Sequence, residues 1–138
     1  MGYRIIDEMS RLPAVVAEDS TVGDAISLMK HFHIRHLPVM KRKKLIGVVS
    51  ERDLRDRNVS LRQKISDIMI QNPYKVKRGE KLSSVAYKMA SRKYGCAVVE
   101  NREGKVIGIF TTTDALFLLS KMLTNFDFDW QHSPQYMI

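Results

Sequence analysis

The chain says almost the same thing twice. Asp7-Glu8-Met9 and Pro13 answer to Asp67-Ile68-Met69 and Pro73, 60 residues further on. Val22, Ala25, Ile26 and Met29 return at that offset as Leu82, Val85, Ala86 and Met89. Pro38 then falls opposite Ala97, at 59, while Gly47, Ser50 and Asp53 return as Gly108, Thr111 and Asp114, at 61. Offsets that drift by a residue in loops, with the periodic segments kept in register, mark a duplicated structural unit. The admissible folds are therefore those built from two like halves.

Each copy opens with a short extended piece after its proline, Ala14-Val15-Val16 and Tyr74-Lys75-Val76. Apolar residues at i, i+3, i+4 and i+7 from Val22 and from Leu82 then predict one-sided helices. Two short apolar runs follow, Leu37–Met40 with Leu45–Val49 and Ala97–Val99 with Val106–Phe110. Turn residues part each pair, so both read as hairpins. Second helices begin at Ser50 and Thr111. The expected class is α/β (α+β), two β-α-β-β-α repeats packed about a pseudo-twofold axis. The repeats span 1–62 and 63–124, and an aromatic tail spans 125–138. Half a chain with one three-stranded sheet would leave an apolar face bare, so neither half is expected to stand alone.

The end of each hairpin carries the most chemistry. Gly47-Val48-Val49-Ser50-Glu51-Arg52-Asp53 and Gly108-Ile109-Phe110-Thr111-Thr112-Thr113-Asp114 both run a strand into a helix. Ser50 and Thr111 sit at N-cap positions, and Asp53 and Asp114 lie one turn on. Two readings fit. One is a capping box closed by Asp. The other is a nucleotide cradle, in which hydroxyl and helix-end amides face a phosphate and the carboxylate accepts from a ribose diol.

Composition narrows the partners. Twenty-three Lys and Arg against fifteen Asp and Glu give +8, and residues 1–124 carry +10, an excess that favours an anionic partner. No apolar run approaches membrane-spanning length, and no signal peptide is recognised, so a cytoplasmic protein is expected. A single cysteine excludes an internal disulfide and a Cys-rich zinc site.

The motifs resemble the cystathionine β-synthase (CBS) domain, and their duplication resembles a CBS pair, or Bateman module. They are Asp67-Ile68-Met69 with Pro73, Ile34 to Val39, Leu45 to Leu54 and Val106 to Asp114. The resemblance implies a regulatory, non-enzymatic module that binds AMP, ADP, ATP or S-adenosylmethionine between the repeats, with no further cofactor required. Asp53 and Asp114 would then hold the ribose, with Ser50 and Thr111 near the phosphates. Arg35, His36 and Arg52 would face the phosphates in the first copy. The adenine would slot against apolar residues and backbone of Val15-Val16 or Lys75-Val76 and against the entry to the second strand, Leu37-Pro38 or Cys96-Ala97. The second copy departs from the pattern, with Tyr94-Gly95 in place of Arg35-His36 and Thr113 in place of Arg52. The Asp53 corner is therefore expected to be the more polar. Such modules dimerise through helices, so a homodimer is expected.

Other constellations are weaker. His31, His33 and His36 straddle a helix end and a strand entry, so they are not expected to converge on a metal. Cys96 reads as a packing residue. Lys41 to Lys44 read as a solvated hairpin tip, without the aromatic platform that nucleic acid would need. Phe126-Asp127-Phe128-Asp129-Trp130 reads either as packing on a cleft or sister subunit, or as a docking arm for another protein.

Overall fold

A computed structural model describes residues 3–12, 14–56 and 58–131, with side chains to residue 125. Pro13 and the last part of the tail, Tyr136 included, lie outside the described residues. In order, the elements are α1 (Ile5–Glu8), β1 (Ser10–Arg11), β2 (Val16–Ala17), α2 (Val22–Phe32), β3 (His36–Lys41), β4 (Lys44–Ser50) and α3 (Glu51–Leu54). A 3₁₀ turn (Ile65–Asp67) leads into β5 (Ile70–Gln71), β6 (Lys75–Lys77), α4 (Leu82–Arg92), β7 (Cys96–Glu100), β8 (Val106–Thr111) and α5 (Thr112–Gln131).

The apolar stripes turn inward as their spacing requires. Val22, Ala25 and Met29 of α2 and Leu82, Val85 and Met89 of α4 are buried. Thr21 and Asp24 close a capping box at the start of α2. A crossover through α2 lays β2 parallel to β3, with Val16 opposite Val39. β6 and β7 repeat the arrangement, with Val76 opposite Val99. The β3–β4 and β7–β8 pairs are the expected antiparallel hairpins.

Each sheet has four strands rather than the expected three, and the fourth comes from the other copy. β5, which opens the second repeat, pairs with β4; β1, which opens the first, pairs with β8. The backbone stitches run in parallel. Ile65 N–H donates to Ser20 O at 2.8 Å and Ile5 N–H to Glu80 O at 3.0 Å. Ile65 and Ile5 are completely buried, each in the other copy's core. Two-residue strands carry too little apolar alternation to show in sequence, and the exchange is why the halves interlock.

The exchange explains the two recurring glycines. A Cβ on Gly47 would lie 2.5 Å from Met69 Sδ and 3.0 Å from Ile70 O. A Cβ on Gly108 would collide with Met9 and approach Ser10 O to 2.8 Å. Each swapped strand thus passes over a strand position where only hydrogen fits. Val48, Cys96 and Ile109 form a third, small core, with Leu12 packed against it.

The second helices are unequal. α5 spans 20 residues and crosses the boundary drawn at residue 124, whereas α3 has four. Ala115 to Leu119 are mostly strong helix formers. After Leu54 the chain instead turns on Asp56, whose carboxylate accepts from Asn58 N–H at 2.9 Å. Asx turns of this kind compete with helix continuation. Among the described residues, no helix is long and apolar enough to cross a membrane.

Candidate functional site

Both strand-to-helix corners close as capping boxes. Ser50 N–H donates to Asp53 Oδ2 at 3.0 Å, and Asp53 N–H to Ser50 Oγ at 3.2 Å. Thr111 and Asp114 exchange the same bonds at 2.8 and 3.1 Å. The next amides are also taken, Glu51 N–H by Arg35 O at 2.7 Å and Thr112 N–H by Gly95 O at 3.1 Å. The free amides expected to cradle a phosphate are therefore largely engaged within the fold. What each corner still offers is the second carboxylate oxygen.

The corners differ there. Asp114 Oδ1 accepts from Ser10 Oγ at 3.1 Å, across the strand exchange. The matching position in the other half is Ile70, which has no donor. Among the described residues, none donates a side-chain bond to Asp53 Oδ1. Asp53 also opens into a cleft of about 690 Å³ lined by both repeats.

That cleft is lined by both basic and apolar side chains. Arg35, Arg52, Arg55 and Lys93 bring fixed positive charge, against Glu51 and Asp53. Glu51 holds Arg55 by an ion pair and Arg35 at 3.5 Å. With Arg35's side chain 77% exposed, that bond is weak and open to exchange. Val48, Ile70, Pro73 and Cys96 supply apolar lining. Tyr74 and Tyr94 flank the cleft with ring centroids 5.2 Å apart, and Lys88 Nζ stands 5.2 Å from the Tyr74 ring.

His36 lies between the two corners, facing Gly95, where an added Cβ would meet its Nε2 at 3.9 Å. Burial pushes its pKa below the ordinary value of 6.5; Asp53 and Asp114 pull it upward, and Arg35 adds to the depression. Burial, helped by Asp53, raises the Cys96 thiol to about 11, so it stays neutral. Burial likewise raises the Tyr74 hydroxyl, with Glu80 and Tyr94 contributing.

Of the residues singled out in sequence, the cleft gathers Arg35, His36, Ser50, Arg52, Asp53, Tyr94, Gly95 and Cys96. Val16, Val76, Leu37, Pro38 and Ala97 are buried and do not line this cleft. Val15 and Lys75 are exposed and do not line this cleft. Thr111, Thr113 and Asp114 belong to the other corner, and only Thr112 of that turn reaches the cleft. Ile70, Asn72, Pro73, Tyr74 and Arg55 were not foreseen. Three of these follow from the unpredicted β5, which brings Ile70, Asn72 and Pro73 against β4. His31 and His33 are exposed, and among the described residues no cluster of three metal-ligating side chains forms.

Comparison with known proteins follows the same outline. The CBS domain pattern matches residues 5–60 and 65–121. A CBS domain-containing protein of Dictyostelium discoideum is 31% identical over 130 residues, covering 83% of this chain and 90% of its own. An uncharacterized protein of Methanocaldococcus jannaschii is 27% identical over 100 residues, 72% of this chain. The chain spans 34% of that protein's length, and 24% of a Methanococcus vannielii homoserine O-acetyltransferase that it also resembles. Among solved structures, a putative acetoin utilization protein from Vibrio cholerae superposes with a TM-score of 0.75 at 27% identity, covering 97% of this chain and all of that one. CBSX2 in complex with AMP superposes with a TM-score of 0.72 at 25% identity, covering 88% and 98%. With both halves matched and the fold shared throughout, this protein belongs to the CBS domain family and carries the domain as a tandem pair.

Proposed function

We propose that the protein is a regulatory module that binds an adenosine-type anion in the Asp53 cleft. The observation that carries this reading is a carboxylate oxygen with no side-chain donor among the described residues, in a cleft lined by cations and by apolar residues of both repeats. Asp53 Oδ1 would accept from the ribose hydroxyls. The base would lie against Ile70, Val48 and Pro73, near the paired tyrosines. The phosphates would face Arg35, Arg52, Arg55 and Lys93, where guanidinium–phosphate bonds are at their strongest. CBSX2, crystallised with AMP, supports this class of ligand.

Binding rather than catalysis fits the side chains present. The Cys96 thiol is held neutral, and the Ser50 hydroxyl is already engaged in the cap. Because the cleft is lined by both repeats, occupancy would bias how they sit together. Couplings of this kind are typically about 1–3 kcal/mol.

The test is calorimetric titration with AMP, ADP, ATP and S-adenosylmethionine, beside thermal unfolding. A ligand at 100 times its Kd should add about 2.7 kcal/mol to the folded state. No heat and no shift with any of the four would leave a scaffold without a nucleotide ligand.

A further inference from the structure

A second carboxylate lines the Asp53 cleft, and it already has partners. Glu51 opens α3, and its two oxygens are divided between two guanidinium groups: Oε1 takes Arg55 and Oε2 takes Arg35. All three side chains line the cleft. Arg52 and Lys93, the other fixed cations there, form no ion pair among the described residues. One internal carboxylate thus holds two of the four cations proposed to meet a phosphate.

The second repeat does without this arrangement. Glu51 N–H donates to Arg35 O, and Thr112 N–H makes the matching bond to Gly95 O. Gly95 and Thr112 therefore stand where Arg35 and Glu51 stand, and Leu116 takes the place of Arg55 four residues on. The Thr111–Asp114 cap closes all the same, so the charged trio does not shape the corner. Nor is it a strong brace. The Arg35 and Arg55 side chains are 77% and 76% exposed, and pairs so open contribute little to stability. Where the trio matters is to an entering anion. Carboxylate and phosphate ask the same of a guanidinium group, a fork of N–H donors. A carboxylate brings one negative charge, and a phosphate ester nearly two at neutral pH.

We propose that Glu51 is an internal competitor for the phosphate of the ligand, and that it sets the ligand charge to which the cleft answers. The proposal rests on the Asp53 cleft being the ligand site. With the trio closed, four cations and two carboxylates leave the cleft a formal +2. A phosphate displaces Glu51 from Arg35 and Arg55 because it carries the larger charge, and its affinity is reduced by the pairs it breaks. Uncharged adenosine leaves the trio closed. The sulfonium of S-adenosylmethionine gains nothing from the arginines and is attracted by Glu51. Glu51 therefore moderates a preference for phosphate that the arginines alone would make steeper. The exchange also loosens a tie within the fold, since Arg35 precedes β3 and Arg55 follows α3.

Glu51→Gln in the full chain is the test, because it keeps the length of the side chain and removes its charge. Calorimetry with adenosine, AMP, S-adenosylmethionine and inorganic triphosphate reads the competition. The variant should melt close to the parent by circular dichroism. It should bind AMP and triphosphate about two- to thirtyfold more tightly, the effect of releasing two exposed pairs. Adenosine should bind unchanged, and S-adenosylmethionine no better. In an Arg55→Gln background, where one pair is already gone, the same substitution should gain less. A gain of equal size in both backgrounds would overturn the competition, because Glu51 would then act only at a distance. So would equal gains for adenosine and AMP, or a Glu51→Gln chain that binds neither anion. If triphosphate responds to Glu51→Gln while no adenosine compound binds, the ribose reading fails and the competitor stands. If AMP binds the parent and the variant alike, the competitor fails and the ligand site stands.

Discussion

Replacing Asp53 separates its two jobs. Oδ2 caps α3 through Ser50 N–H, while Oδ1 is the oxygen proposed to accept from a ligand. Loss of a cap costs about 0.5–2 kcal/mol. Asp53→Ala should therefore lower stability by about 1 kcal/mol, or about 3–4 °C in Tm for a chain of 138 residues. Hydrogen bonds to a charged acceptor contribute about 1.5–3 kcal/mol each. With one oxygen free, the loss of nucleotide affinity should be at least about 10- to 150-fold. Asp53→Asn keeps an amide oxygen for the cap but removes the charge, so it should melt near wild type and still lose most affinity. Asp114→Asn should cost little affinity, because Ser10 already engages that carboxylate. Isothermal calorimetry beside thermal unfolding reads both quantities. If Asp53→Asn bound nucleotide as well as the parent chain, the carboxylate would not hold the ribose and the proposed site would fail.

Three further outcomes are expected. Gly47→Ala should destabilise by about 1–3 kcal/mol in urea unfolding, because its Cβ would press on Met69 and Ile70 O; pairing it with Met69→Ala should recover part of the Gly47→Ala cost, and no cost for Gly47→Ala alone would refute the close crossing. Ile5→Ala and Ile65→Ala should cost similar amounts, about 2–5 kcal/mol each, since both are fully buried in the opposite repeat's core; an inert Ile5→Ala would argue against the exchanged strand. His36 gives a pH dependence of defined sign: the unfolded chain gains a proton as pH falls through 6.5, while the buried ring resists to a lower pH. The stability present above pH 6.5 should therefore decline below it, and a pH series of melts on His36→Gln should lack that component.

Much of this molecule was legible in the residues alone. Periodicity sets which faces of the first helices of each repeat are apolar, and it does so locally, through 3.6-residue geometry that needs no tertiary partner. The Ser50/Asp53 and Thr111/Asp114 caps are equally local, three residues apart, and duplication makes them recognisable. The exchange of β1 and β5 is a different matter. Two-residue strands gain their definition from the sheet edge they meet, and pairings 22–24 residues apart for β5 and 97–99 apart for β1 leave no local trace. The cleft's composition follows from that exchange: Ile70, Asn72 and Pro73 stand beside Asp53 only because β5 pairs with β4, and Ser10 reaches Asp114 only because β1 pairs with β8. Local chemistry thus determined where a carboxylate would be held, and long-range strand pairing decided which of the two carboxylates a neighbouring strand engages.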